Sequence, residues 1–599
     1  MAPAFVVGVD LGTTNGVAAY APLGGSQADV QLLSIPQLTA AHTLEHRASL
    51  PSFLYFASEG EAASGALDVP WAAERRYAVG EWARRQAAEA PDRTVAAAKS
   101  WLAHSKVDRR QPILPWNASA ELPKASPVTA SQRYLEHLAA AWQAQFPEAP
   151  LAEQQVVLTV PASFDAAACE LTREAAIAAG LPPDLTLLEE PQAAVYAWLA
   201  ARGERWRKDL RPGDRLLVCD VGGGTTDLTL IGVSAEEGGL SLRRLAVGDH
   251  LLVGGDNMDL ALAYRASELL AGQGVKLDPW QSVGLWHACR NAKETLLSAD
   301  GPETHPVAVL GRGRKLIGGA IACDLSRGLV EQLLVEGFFP RCAASERPQR
   351  RRASGFQEIG LPFEADAAIT RHLAAFLGSH AQSAGEAGEL THVLFNGGVF
   401  KAAPLRNRVM EVLGDWSGGA AGPRQLEGEH DLDYAVARGA AYYGWTKRHG
   451  GVRIRGGVAR SYYVGVETAG LAIPGAPRPL RALCVAPFGM EEGTSTAVPA
   501  AEIGLVLGEP AHFRFFSSAV RRGDRPGDVL DRWAEDELVE SDSLEATLPV
   551  DPAEDETYVP VRFESHLTEL GVFELWCVQA QRDRRWKLQF SVRDEGDAS

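Results

Sequence analysis

The 599-residue sequence contains no apolar run approaching the ~18 residues that crossing a bilayer requires. It has no excess of basic charge either. Its 58 Lys and Arg face 76 Asp and Glu, for a formal charge of −18, which argues against nucleic-acid or anionic-membrane binding by counterion release. Cysteine is scarce: seven residues, an odd count, with no CxxC pair. That usage gives neither a thiolate zinc framework nor a disulfide scaffold, and it fits a reducing compartment. The first residues, Met1 to Val7, lack the basic segment that opens a secretory signal. The expectation is a cytoplasmic protein with no membrane and no nucleic-acid partner. What is present is the composition of a folded protein, 46% hydrophobic and 22% charged, at a length that suggests several domains.

Three short apolar runs organise the first three quarters of the chain. Phe5 to Val9 ends in Asp10, Leu216 to Cys219 ends in Asp220, and His392 to Phe395 ends in Asn396-Gly397-Gly398. Runs of this length closed by glycine-rich turns read as buried central strands. A fourth, Val156 to Val160, precedes Pro161 and an alanine-rich helix stopping at Gly180. Leu135, Leu138, Trp142 and Phe146 recur at helical spacing, which predicts an amphipathic helix beginning near Thr129 or Ser131. The segment Asp10 to Val17 parallels Asp220 to Asp227, so a strand–turn–strand unit recurs some two hundred residues apart, as in a duplicated domain. Residues 447–460 are rich in glycine and arginine and read as a linker. Beyond it, Ser461 to Val466, His512 to Phe516 and Gly571 to Cys577 are β-type segments of an all-β domain. The basic cluster Arg347 to Arg352 reads as a solvated surface insertion.

Glycine–threonine turns at the ends of central strands suit phosphate. Glycine lets the backbone approach an anion, successive N–H groups form a concave nest, and threonine hydroxyls add donors. A leading carboxylate, Asp10 or Asp220, would repel bare phosphate and makes sense only with a hydrated Mg²⁺ between them. No GxxxxGK[ST] loop follows a strand, so this is not a Walker site.

These motifs, in order over residues 4–445, resemble the heat shock protein 70 (DnaK-type) family. Val9-Asp10-Leu11-Gly12-Thr13-Thr14 resembles its first phosphate hairpin and Asp220 to Asp227 its second. Leu50 to Phe53 and Val79-Gly80 are similar to segments that follow the first hairpin. Val160 to Phe164 with Glu190-Pro191 resembles the first connecting segment, and Asp433 to Ala441 the second. Gly254 to Asp259 resembles the GGxxxD segment, and Phe395 to Gly398 the adenosine turn. The resemblance implies an α/β fold, with an actin-like, duplicated ribonuclease-H-type nucleotide-binding domain (1–446), a linker (447–460) and a smaller β-rich substrate-binding domain (461–599). It implies ATP or ADP with Mg²⁺ as ligands. Asp10 and Asp220 would hold the metal's water shell, and Lys99, Glu190, Asp227 and Thr225 would carry the catalytic roles. Gly12, Thr13, Thr14, Asn15, Gly222, Gly223, Gly224, Thr225, Thr226, Gly254, Gly255, Lys293, Gly397, Gly398 and Lys401 would contact the nucleotide.

The chain departs from the pattern in four places. Around the nucleoside it offers Arg290, Lys293, Glu294 and Leu297, of which only the lysine follows the family, and Lys401 stands where the family has an adenine-stacking arginine. Lysine presents no planar guanidinium, so stacking should weaken. The linker is basic rather than acidic, which puts docking in question. No long amphipathic stretch for a helical lid follows residue 461, and no co-chaperone tail is recognisable at the end. The reading is an ATP-hydrolysing, chaperone-like protein whose nucleotide state is coupled to unfolded or extended polypeptides, with co-chaperones as possible partners. Two alternatives stand beside it: a nucleotide-gated scaffold with little hydrolysis, and a small-molecule kinase of the actin-like superfamily.

Overall fold

The computed structural model describes residues 3–590 apart from 105–106, 237–238, 310, 312–320, 350–362, 381–388, 419–420, 428–430, 456, 459, 468–479, 492, 501, 535–536, 548–557, 569–572 and 580–583. Phe5–Leu11 and Asn15–Pro22 form an antiparallel hairpin, buried along nearly all its length. Gln155–Val160 adds parallel to its first strand and Thr186–Glu189 parallel to that. The second half repeats the scheme. Arg215–Val221 and Thr226–Glu236 pair antiparallel, His392–Asn396 adds parallel to the first of them, and Arg424–Gln425 follows. Strands apolar on both faces must be covered on both sides, and helices cover them here.

Two helices cross where the halves meet. Glu190–Arg202 begins at the end of Thr186–Glu189, and Ala435–His449 lies against both it and Phe5–Leu11. Their approach needs glycine. A side chain at Gly439 would overlap the Ala193 carbonyl, and one at Gly8 would overlap the Ala437 carbonyl. The helix expected near Thr129 or Ser131 begins earlier, at Pro127. Ser126 caps it by accepting from the Thr129 N–H at 2.9 Å, and proline suits the first helical position because its missing N–H has no partner there anyway. The alanine-rich helix runs Ala166–Ala178, capped by Asp165, and is followed by Gly180 at φ +89°.

Beyond Gly450 every regular element among the described residues is a strand. Ser461–Glu467, Leu480–Ala486, Pro510–Ser518 and Val539–Thr547 form the body of one sheet, and Tyr558–Leu567 and Phe573–Gln579 that of another. Tyr462, Val464 and Phe515 from the first meet Val561, Phe563 and Leu575 from the second in one apolar core. The stretch read as a linker is partly built into the fold. Ala435–His449 extends into it, and Ile454–Arg455 pairs in parallel with Leu242–Arg243 at the edge of the second sheet. Of the basic cluster at 347–352, residues 350–352 lie outside the described residues. No helix among those described is long and apolar enough to cross a membrane.

Candidate functional site

The two hairpin turns are built alike. The Gly12 N–H donates to the Asn15 carbonyl at 3.0 Å, and the Gly222 N–H donates to the Thr225 carbonyl at 2.9 Å. Each hairpin's aspartate faces a polar residue on the adjoining parallel strand, Asp10 opposite Thr159 and Asp220 opposite Asn396. The Thr159 hydroxyl donates to Asp10 Oδ1 at 3.1 Å, and Asn396 Nδ2 donates to Asp220 Oδ2 at 2.7 Å. Neither Thr159 nor Asn396 was read as an aspartate partner from the sequence. The only local signal is a polar residue near or at the end of an apolar run. The turns face each other closely: a side chain at Gly223 would strike the Thr14 hydroxyl, and one at Gly224 would come within 2.6 Å of Ser100 Oγ.

Between the turns lies a cleft of about 490 Å³. Asp10, Gly12, Thr13, Thr14, Asn15, Lys99, Glu190, Asp220, Gly222, Gly223, Thr225, Asp227, Gly255, Lys293, Gly397, Gly398 and Lys401 all line it. Three expected residues do not. Thr226 is fully buried and its hydroxyl donates to the Val253 carbonyl at 2.7 Å. Gly254 backs the second turn, where a Cβ would press to 2.7 Å on the Gly222 and Gly223 carbonyls. Gly224 sits behind Gly223 against Thr13 and Ser100. The N–H groups of Gly255 and Asp256, opening the helix Gly255–Gly272, donate to the carbonyls of Gly222 and Gly223 and brace the turn.

The cleft floor is acidic. Lys99 and Glu190, both almost wholly buried, form an ion pair, with Asp10, Asp220 and Asp227 around them. Burial, with the Glu190 charge next, pushes Asp10 up to about 7. Burial likewise raises Asp220 well above the carboxylate range, with Glu190 again adding to it. Glu190 and Asp227 rise for the same first reason, although the Lys99 charge pulls both down. Burial works against the Lys99 ammonium, but Glu190 and Asp10 outweigh it and hold its pKa above the ordinary value. Four carboxylates crowded around one ammonium resist ionising together, and a cation in the cleft would let them carry their charge. Among the described residues no three metal-ligating side chains converge closely enough to grip a bare ion. The donor set therefore suits a cation carried in its own water shell, as Mg²⁺ prefers.

At the far end the sequence departures become a network. Arg290, buried, pairs with Asp256 and, at 2.8 Å, with Asp259, whose other oxygen lies 2.6 Å from Lys293 Nζ. Lys293 also donates to the Gly255 carbonyl at 3.0 Å. Glu294 is exposed, Leu297 half-buried, and Lys401 is tied to Asp433 across the mouth. Sequence reading singled out Arg290 and Lys293 but missed their partners, which lie up to 38 residues away.

The family model described as Hsp70 protein matches residues 68–344. Chaperone protein DnaK of Stenotrophomonas maltophilia (strain R551-3) is 27% identical over 382 residues, covering 59% of this chain and 52% of its own. Chaperone protein HscA of Enterobacter sp. (strain 638) is 32% identical over 269 residues, covering 43% of this chain and 36% of its own. The chain thus spans about half the length of the first and about a third of the second.

Proposed function

The chain is a member of the Hsp70 family, and from that premise we propose that it binds ATP in the cleft and hydrolyses it slowly. The observation that carries this reading is the pair of matched hairpin turns facing each other over one ammonium and four carboxylates. Glycine N–H groups and the hydroxyls of Thr13, Thr14 and Thr225 cradle the phosphates. Asp10 and Asp220 hold the hydrated Mg²⁺, each kept in place by its strand neighbour, Thr159 or Asn396. When bound, the cation supplies charge neutralisation at the transferred group. Lys99 contributes a compact positive charge beside it, and Glu190 and Asp227 orient the attacking water. Phosphoryl transfer asks for such positioning more than for covalent chemistry.

The same reading makes the β-domain, 461–599, the binder of an extended polypeptide, with residues 1–446 as the nucleotide domain and co-chaperones as further partners. The join between the two supports coupling. Ile454–Arg455 continues the nucleotide domain's sheet, and the Ile454 N–H donates to the Tyr196 hydroxyl at 2.9 Å. Arg244, buried beside it, bridges Glu189 and the Gly457 carbonyl, next to Glu190. Single-turnover hydrolysis of γ-labelled ATP with Mg²⁺, with and without an unfolded polypeptide, tests the proposal. The expected result is slow phosphate release that quickens with polypeptide. Tight binding without release would favour the scaffold reading, and phosphate passed to an added polyol the kinase. Lys99→Ala is expected to keep nucleotide binding and lose turnover, and retained turnover would remove Lys99 from its role.

A further inference from the structure

Asp227 lines the cleft, but it is held from behind by residues that do not. Ser163, 3% exposed, donates its hydroxyl proton to Asp227 Oδ1. The same Ser163 oxygen lies 2.6 Å from His250 Nδ1. A hydroxyl has one proton, and it is committed to the carboxylate, which as an anion can only accept. His250 must therefore donate from Nδ1 to the Ser163 oxygen. Its Nε2 is buried and has no hydrogen-bond partner among the described residues, as expected for the unprotonated nitrogen of that tautomer. Phe164 presses edge-on against the imidazole, with centroids 5.6 Å apart. Of the charged groups facing His250, Arg460 and Lys99 are cationic and Asp165 is anionic. Burial and Arg460 hold the ring neutral.

We infer that Ser163 and His250 form a hydrogen-bond relay, His250 Nδ1–H to Ser163 O–H to Asp227, that positions the Asp227 carboxylate for ATP hydrolysis. The inference rests on the ATPase reading for its consequence but not for its geometry. Asp227 also accepts from the Thr225 hydroxyl at 3.3 Å, so each of its two oxygens has its own donor, one from the turn and one from the relay. Without the relay the carboxylate keeps its place in the chain but turns about its terminal bond. Orientation of the attacking water degrades while the phosphate cradle stays intact. The Ser163 backbone carbonyl accepts from Arg460 Nη2 at 3.4 Å, so the segment carrying the relay is pinned at the entry to the β-domain.

Two measurements on the full chain test the relay. Imidazole ¹⁵N spectra near neutral pH are expected to show His250 neutral with the proton on Nδ1, and Asp227→Asn should perturb that signal. A proton on Nε2 overturns the relay whether or not the protein hydrolyses ATP. Single-turnover hydrolysis gives the second test. Ser163→Ala and His250→Leu are expected to slow phosphate release about 10-fold, the order set by losing one hydrogen bond to a charged group. ADP affinity should be unchanged, and the conservative variants Ser163→Thr and His250→Asn, which keep a donor in place, should recover most of the rate. Unchanged release in Ser163→Ala, or a loss that Ser163→Thr and His250→Asn fail to recover, counts against the relay. No release from the unmodified chain defeats the ATPase reading instead, and the spectra still decide the relay.

Discussion

Buried imidazoles pull the stability of this chain down in acid, against the raised carboxylates of the cleft, which pull it up. His137 lies inside the first half with Nε2 2.8 Å from the Pro36 carbonyl and Nδ1 without a partner among the described residues, and burial depresses its pKa to about 4. His287, flanked by Trp286 and Phe53, is lowered to about 3 by burial and then by Arg290. His380, bonded to the Phe376 carbonyl, is lowered to about 4 by burial and then by Arg522. Each folded value lies below the ordinary 6.5, so between the two the unfolded chain binds more protons than the folded one. Stability from these groups is complete above pH 6.5 and is lost as pH falls towards 4. For His137 alone the loss is on the order of 3 kcal/mol. The raised carboxylates of the cleft, Asp10 among them, act in the opposite sense, so the test is a difference: the urea midpoint of the unmodified chain should fall relative to that of His137→Gln as pH drops from 6.5 to 4. Parallel curves for the two proteins would show that the His137 ring protonates without cost.

At the level of elements, the hairpins were legible in the sequence because their signals are local. An apolar run, an aspartate and a glycine–threonine turn lie within ten residues. What pairs with them was not legible. Thr159 meets Asp10 across 149 residues and Asn396 meets Asp220 across 176, through strand registers that only the assembled sheet sets. Thr226 reads like its neighbour Thr225, yet strand alternation turns it into the core and away from the cleft. The 447–460 stretch has a linker's composition, but an unpaired sheet edge beside Leu242–Arg243 captures two of its residues. The helix crossing is a third case, since nothing local marks Gly439 as a contact point. Gly439→Ala should cost roughly 1–3 kcal/mol through overlap with the Ala193 carbonyl. Gly414→Ala, inside Ala403–Trp416 with open space around it, should instead add about 0.5–1 kcal/mol through helix propensity. Denaturant unfolding of the two variants tests both signs, and a stable Gly439→Ala would mean that the helices part more easily than their packing implies.

Across the whole molecule, the helix-bearing part up to His449 and the all-strand part beyond it meet through more than a tether. Ala166, at the start of the helix after the Pro161–Phe164 segment, packs into the apolar core between the later sheets, and Arg522 donates to the Leu245 carbonyl at 3.0 Å. Between these contacts runs Ile454, 7% exposed and packed in one cluster with Tyr196 and Leu242. At the strand itself Ile454 and the backbone make the joint, while the Arg453 and Arg455 side chains are exposed. Arg460, buried further along the segment, donates to the Ser163 carbonyl. At Ile454–Arg455 coupling should therefore follow burial and strand pairing rather than the surface charge of Arg453. Ile454→Asp places an unpaired carboxylate in an apolar cluster, which the chain escapes most cheaply by releasing the segment from the sheet edge. Basal phosphate release should survive, because no cleft residue is touched. Acceleration by unfolded polypeptide should vanish, and protease cleavage near residue 454 should quicken. Arg453→Ala should leave the acceleration intact. If Arg453→Ala abolished it and Ile454→Asp did not, charge would be the coupling element and the strand pairing a passive contact.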